Sequence, residues 1–302
     1  MLKILLGVSI LGLVALGFVG NYFYDLALNP ATDKSIVFDN EETSNENDYD
    51  SESSFFEDVP YTDVIIENDS LALHAYDFNQ NSDVYVIVVH GYTSEGSSMQ
   101  LRSEHFYNLG YNVLTVDLRG HGLSDGDYIG MGWDDRFDII AWIDYLVEKD
   151  SDTSIVLYGV SMGAATVLNT TGEELPTNVV AAIEDCGYTT TWDIFKYQLG
   201  SIFSLPAHPF MDAAKTVTLV RAGYDIGKGP IDLIANSVTP TLFIHGDQDL
   251  FVPYEMLDIL YTASNAPKEK LVISGAGHGQ SDLVDPDTYW ATVDAFISKY
   301  LP

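Results

Sequence analysis

One cysteine, Cys186, occurs in 302 residues, so no disulfide within the chain braces the fold and cysteine usage does not report the redox compartment. A lone cysteine ahead of a glycine reads as a small buried filler rather than a nucleophile. Cations are scarce too: 13 Lys and Arg face 45 Asp and Glu, a formal charge of -32. Such a surface repels nucleic-acid phosphates, so nucleic acid is not an expected partner. The same acidity suits a high-salt medium or an anionic cell surface. No H-E-x-x-H motif or cysteine–histidine cluster occurs, and Asp247-x-Asp249 lacks the further acids of a calcium loop. Gly275-Ala276-Gly277-His278-Gly279 is not a G-x-G-x-x-G turn opening a βαβ unit. No metal and no cofactor is expected.

What is present begins with one long apolar run. Residues Ile4 to Val19 read ILLGVSILGLVALGFV behind Lys3, followed by Tyr22, Phe23 and Tyr24. Counted through Tyr24, the stretch gives roughly 20 residues, enough to cross a bilayer with its tyrosines in the interface. An uncleaved single-pass membrane anchor is expected, its terminus cytoplasmic and the rest of the chain extracytoplasmic. A small-x-small pattern at Ala15 and Gly17 keeps a cleaved signal and a secreted product as the alternative. From about Asp33 to Asp58 the chain is rich in Asp, Glu, Asn and Ser, the composition of a self-repelling tether. The expected organisation is thus an anchor over 1–26, an acidic tether over 27–57 and a globular domain over 58–302.

In that domain, short β-branched runs alternate with amphipathic segments, the sign of a mainly parallel sheet covered by helices on both faces. Eight strands are expected, at Val64–Glu67, Leu71–Phe78, Val84–His90, Asn112–Asp117, Ser154–Tyr158, Val179–Glu184, Thr241–His245 and Lys270–Ser274. Helices are expected near Met99–Leu109, Asp134–Lys149, Met162–Thr171, Tyr254–Ala263 and Pro286–Tyr300. Between about 187 and 237 the alternation gives way to aromatic, helix-like text, the pattern of a helical cap.

Gly159-Val160-Ser161-Met162-Gly163 has the form G-x-S-x-G between a buried strand and a helix, the context in which a strained turn exposes a nucleophilic serine. A serine hydroxyl needs a histidine to take its proton and an acid to fix that histidine's tautomer. His278, in a glycine-rich loop after the last strand, fits the base. Asp249 gives the chain order Ser, Asp, His; Asp247 competes for the acid role, or serves as a turn residue. The other histidines read as structural or oxyanion-loop residues. Met162 N–H and Tyr92 N–H are the candidate oxyanion donors. Arg119 and Asp117 are expected to pair, and Trp192, Phe195, Tyr197, Phe203 and Phe210 of the cap to line an apolar acyl pocket or pack the cap.

His90-Gly91, Asp117-Leu118-Arg119-Gly120-His121-Gly122, the Ser161 elbow, His245-Gly246-x-x-Asp249-x-x-Val252-Pro253 and Gly277-His278 occur in the order and spacing of the α/β-hydrolase superfamily. From Tyr61 to the C-terminus the chain resembles that superfamily, and with its N-terminal run it resembles membrane-anchored bacterial members of it. The resemblance implies an α/β-hydrolase fold with a mostly parallel eight-stranded sheet and a cap. It also implies Ser161, Asp249 and His278 as the triad, with Tyr92 and Met162 at the oxyanion. A serine hydrolase acting on a small-molecule ester or acyl substrate is expected. The rival readings are a peptidase or acyltransferase on cell-envelope material and a non-catalytic surface-binding module. Oligomeric state is not legible.

Overall fold

A computed structural model describes residues 2–38 and 53–302. The strands are β1 (Thr62–Asn68), β2 (Leu71–Phe78), β3 (Val84–Val89), β4 (Asn112–Val116), β5 (Ser154–Val160), β6 (Val179–Asp185), β7 (Thr241–Gly246) and β8 (Lys268–Ile273). The helices are α1 (Leu2–Leu28), α2 (Ser35–Phe38), α3 (Phe55–Asp58), α4 (Gln100–Asn108), α5 (Asp135–Lys149), α6 (Met162–Thr171), α7 (Thr191–Phe203), α8 (Ala207–Arg221), α9 (Pro230–Leu233), α10 (Glu255–Ala263), α11 (Ser281–Val284) and α12 (Pro286–Ser298).

One sheet of eight strands runs β1-β2-β4-β3-β5-β6-β7-β8, antiparallel at β1–β2 and β2–β4 and parallel elsewhere. The central strands VYVIVV and SIVLYGV are almost wholly buried because helices cover both faces, so they carry no apolar–polar alternation. Parallel order places the C-terminal ends of β3, β5, β6 and β7 along one edge, where ligand sites of open α/β sheets form. Helices α7 and α8, inserted between β6 and β7, form the cap above that edge.

The expected boundaries of the N-terminal regions need correction. Rather than ending an independent anchor at residue 26, the last turns of α1 belong to the folded body: Tyr24, Leu26 and Leu28 are buried. A β-carbon at Gly20 would lie 2.6 Å from the Ala213 carbonyl oxygen of α8, so only glycine permits the two helices to approach this closely. Arg221 of α8 bonds Asp25 at 2.6 Å and lies over the Tyr24 ring. Tyr24 and Phe23 therefore face protein instead of a bilayer interface. Residues 27–38 are likewise not free tether: Lys34 is buried, donating to the Asn29 and Thr32 carbonyls, and Ile129 N–H donates to Leu28 O. Phe55 of α3 packs on Phe78. The rest of the expected tether, 39–52, lies outside the described residues. Among the described residues, no helix is long and apolar enough to cross a membrane.

Candidate active site

Ser161 stands between β5 and α6 with φ 57° and ψ -115°, a conformation an L-residue adopts only when its surroundings enforce it. The two flanking glycines show what enforces it. A β-carbon on Gly163 would meet the Val89 carbonyl oxygen at 2.1 Å, and one on Gly159 would meet the Gly163 carbonyl oxygen at 2.3 Å. Strand and helix can turn this sharply only without those side chains. The result points the serine hydroxyl out of the sheet edge toward the loop after β8.

That loop carries His278, whose Nε2 lies 2.8 Å from Ser161 Oγ. Its Nδ1 lies 2.8 Å from Asp249 Oδ2. The loop is held from below by Arg102 of α4, which donates to Gly279 O and forms a two-point pair with Asp282. Ser281 Oγ donates to Asp185 Oδ1 at the end of β6. Three side chains widely separated in sequence thus meet at one point, and their supports come from different elements of the fold.

Asp249 is the most heavily solvated carboxylate of the site, although by protein instead of water. Its Oδ1 accepts the Phe251 and Val252 N–H groups, both at 2.8 Å, and its Oδ2 faces His278 and, at 3.1 Å, His245 Nε2. Burial alone would raise this carboxyl; the His278 charge and the hydrogen bonds from both imidazoles outweigh it and hold the group well below the usual carboxylate range. Asp247, the competing acid, is elsewhere. It is half-buried and ties the turn after β7 to the loop after β8, accepting from Gly275 N–H and Ser274 Oγ.

His245 was legible only as a strand-ending residue. Its contact with Asp249 arises because the turn folds back, with Asp249 N–H reaching Gly246 O, which brings residues four apart face to face off the end of a strand. The one available signal was the H-G-x-x-D spacing itself. Arg119 does not pair with Asp117: it forms a two-point pair with Asp138 of α5 at 2.6 and 2.7 Å, whereas Asp117 takes His74. Both acids lie within reach of the loop, but Arg119 turns away from β4 toward α5.

Met162, the first residue of α6, is buried directly after Ser161. Tyr92 lies in the loop after β3, and both it and Ser161 line an apolar cavity. Tyr92 Oη donates to Ala27 O of α1 at 2.7 Å. Of the cap aromatics, Phe195, Phe203 and Phe210 line the cavity; Trp192 packs against the core beside it, and Tyr197 borders a separate surface crevice. Among the described residues the metal-ligating atoms that cluster are those of Cys186, Asp249 and His278, within 4.8 Å of one another. Two of the three are already engaged with Ser161 and with each other, and Cys186 is buried beside them.

Residues 80–185 match the family model described as serine aminopeptidase, S33. An uncharacterized protein of Bacillus subtilis, YqkD, is 27% identical over 99% of this chain and 98% of its own length. The α/β hydrolase domain-containing protein WAV2 of Arabidopsis thaliana is 31% identical over 63% of this chain and 62% of its own. Among solved structures, an esterase of Pyrococcus furiosus, Pf2001, superposes with a TM-score of 0.67 at 24% identity, covering 81% of this chain and 92% of the esterase. An esterase from Exiguobacterium antarcticum gives 0.59 at 17% identity, covering 78% of this chain and 100% of its own. At such identities the likeness is one of fold.

Proposed function

We propose, from the premise that this chain belongs to the α/β-hydrolase superfamily, that it is a serine hydrolase cleaving carboxylic esters through an acyl-enzyme. The observation that carries the reading is the unbroken line from Asp249 Oδ2 through His278 to Ser161 Oγ, 2.8 Å at each step. His278 Nε2 takes the hydroxyl proton as Oγ attacks the carbonyl carbon, then returns it to the departing alcohol oxygen. Water, deprotonated by the same nitrogen, cleaves the acyl-enzyme and restores Ser161. Asp249 stays ionised and holds Nδ1–H, which keeps Nε2 unprotonated and facing the serine. Tyr92 and Met162 N–H are assigned to the tetrahedral oxyanion.

Esters are preferred over peptides because, among the described residues, no charged side chain lines the cavity. A peptidase that reads a free amino terminus needs a carboxylate to hold it. The test is active-site labelling with a fluorophosphonate, alongside hydrolysis of p-nitrophenyl esters and aminoacyl-nitroanilides. We expect a Ser161 adduct, ester turnover, and a loss of about three or more orders of magnitude in Ser161→Ala. An adduct on another residue, or none, sinks the reading.

We further propose that the beginning of α1 inserts in the cell membrane, with the hydrolase body outside the cytoplasm. Val14 and Phe18 are 51% and 74% exposed, an apolar surface left open by the described residues. Residues 4–19 supply about 24 Å of helix, so the anchor sits close under the body. Full-length protein released from membranes by carbonate washing would refute attachment.

A further inference from the structure

Two of the walls of the cavity beside Ser161 are helical. One belongs to the cap and was legible as such; the other is the last two turns of α1, a segment lying before the first strand of the sheet. Phe23, Ala27 and Leu28 line the cavity opposite Leu199, Phe203 and Met211. The α1 wall is fixed at both ends. Phe23 meets the rings of Phe203 and Phe210 edge-on, at 5.6 and 6.2 Å between centroids. At the helix C-terminus, two carbonyls without intrahelical partners are taken up by the body: Ala27 O accepts Tyr92 Oη and Leu28 O accepts Ile129 N–H. The segment therefore touches the cap, the loop after β3 and the loop before α5 together.

The chemistry of the lining defines what fits. Among the described residues, no charged side chain faces the cavity. Several polar lining groups are committed to protein: Gln198 Nε2 donates to Phe251 O, Thr218 Oγ1 to Ala214 O, Tyr188 Oη to Met131 O and Tyr92 Oη to Ala27 O. A ligand with polar substituents would lose its water without gaining partners, whereas an alkyl chain loses nothing. The cavity offers about 90 Å³ to the centre of a water-sized sphere, a narrow slot that favours a slender chain over a ring system.

Resting on the serine hydrolase reading, we infer that α1 and the cap together form an acyl-chain subsite, that Phe23 and Ala27 set its size, and that the substrate is an ester of a single unbranched, medium to long acyl chain. The N-terminal helix is then a specificity element of the enzyme.

The test uses the full chain in mild detergent and the p-nitrophenyl esters from acetate to dodecanoate. For the wild type, kcat/KM should climb about fourfold per added methylene until the subsite is full. Ala27→Phe narrows the subsite and should lower the octanoate-to-acetate ratio by about 10-fold or more, chiefly through KM. Phe23→Ala opens it and should move the preferred chain length upward by two or more carbons; a thermal melt verifies that each variant is folded. If Ala27→Phe does not fold, the Phe23→Ala profile decides alone. Ester turnover at Ser161 with a chain-length profile that neither variant changes overturns the subsite and leaves the hydrolase standing. No turnover of any ester and no Ser161 adduct overturns the hydrolase reading, and the subsite with it.

Discussion

Two buried carboxylates in this protein are built almost alike. Asp117, just after β4, accepts Gly96 N–H on one oxygen, and Leu123 N–H with His74 Nδ1 on the other. Asp249, just after β7, accepts two backbone N–H groups on one oxygen and His278 Nδ1 on the other. In each case the imidazole stands 2.8 Å away. The difference lies at the far nitrogen. His74 Nε2 meets a second carboxylate, Asp63 of β1, whereas His278 Nε2 meets Ser161. A histidine clamped between two acids ties β1, β2 and β4 together, whereas one between an acid and a hydroxyl faces a group that a base can activate. In both places the pair holds a loop after a strand, and under the proposed function its third partner decides whether it does chemistry.

Replacing each acid by its amide separates the two roles. Asp249→Asn should leave the fold in place and lower kcat by about 10³–10⁴-fold, since the amide favours the wrong imidazole tautomer. Asp117→Asn should instead cost ~1.5–3 kcal/mol of stability, the range for hydrogen bonds to a charged group, with kcat of the folded fraction retained. Urea unfolding and ester turnover on both variants make the comparison. Equal losses of kcat would erase the distinction drawn here.

The central parallel strands were legible because, buried on both faces, they read as short β-branched runs; antiparallel, largely exposed β1 was legible only in its middle, Val64–Glu67 of Thr62–Asn68; α6 was placed to the residue by its elbow. Ser161, Asp249 and His278 were legible for a related reason: each sits in a loop whose glycines and spacing are demanded by local geometry. His245 beside Asp249, and Asp138 opposite Arg119, were not, because both contacts depend on how a turn or a helix settles in three dimensions. The α1 wall was hidden more deeply. Its apolar text is equally that of a membrane helix, and the contacts that give its last turns a protein partner, among them Gly20 against Ala213 and Arg221 against Asp25, exist only in three dimensions.

A third buried carboxylate sharpens the contrast, because it lacks the imidazole bond that the other two share. Glu184 of β6 accepts one backbone N–H, from Gly187 at 3.0 Å, and its Oε1 is buried with no partner among the described residues. Burial pushes this carboxyl up to about 8; the nearby His245 charge and the Gly187 bond offset that only in part. Asp249, equally enclosed but given four donors, moves the opposite way. The consequence is a pH dependence of known sign. The folded state keeps a proton that the unfolded chain releases near 4.5, so the stability it contributes is complete below that pH and is lost as pH rises toward 8. Glu184→Gln cannot release a proton, and its stability relative to wild type should improve on the order of 1 kcal/mol or more between pH 5 and 8. Unfolding midpoints in urea at pH 5, 6.5 and 8 measure this; parallel curves for the two proteins would mean that Glu184 is ionised in the fold and that donor count does not set the charge of these buried acids.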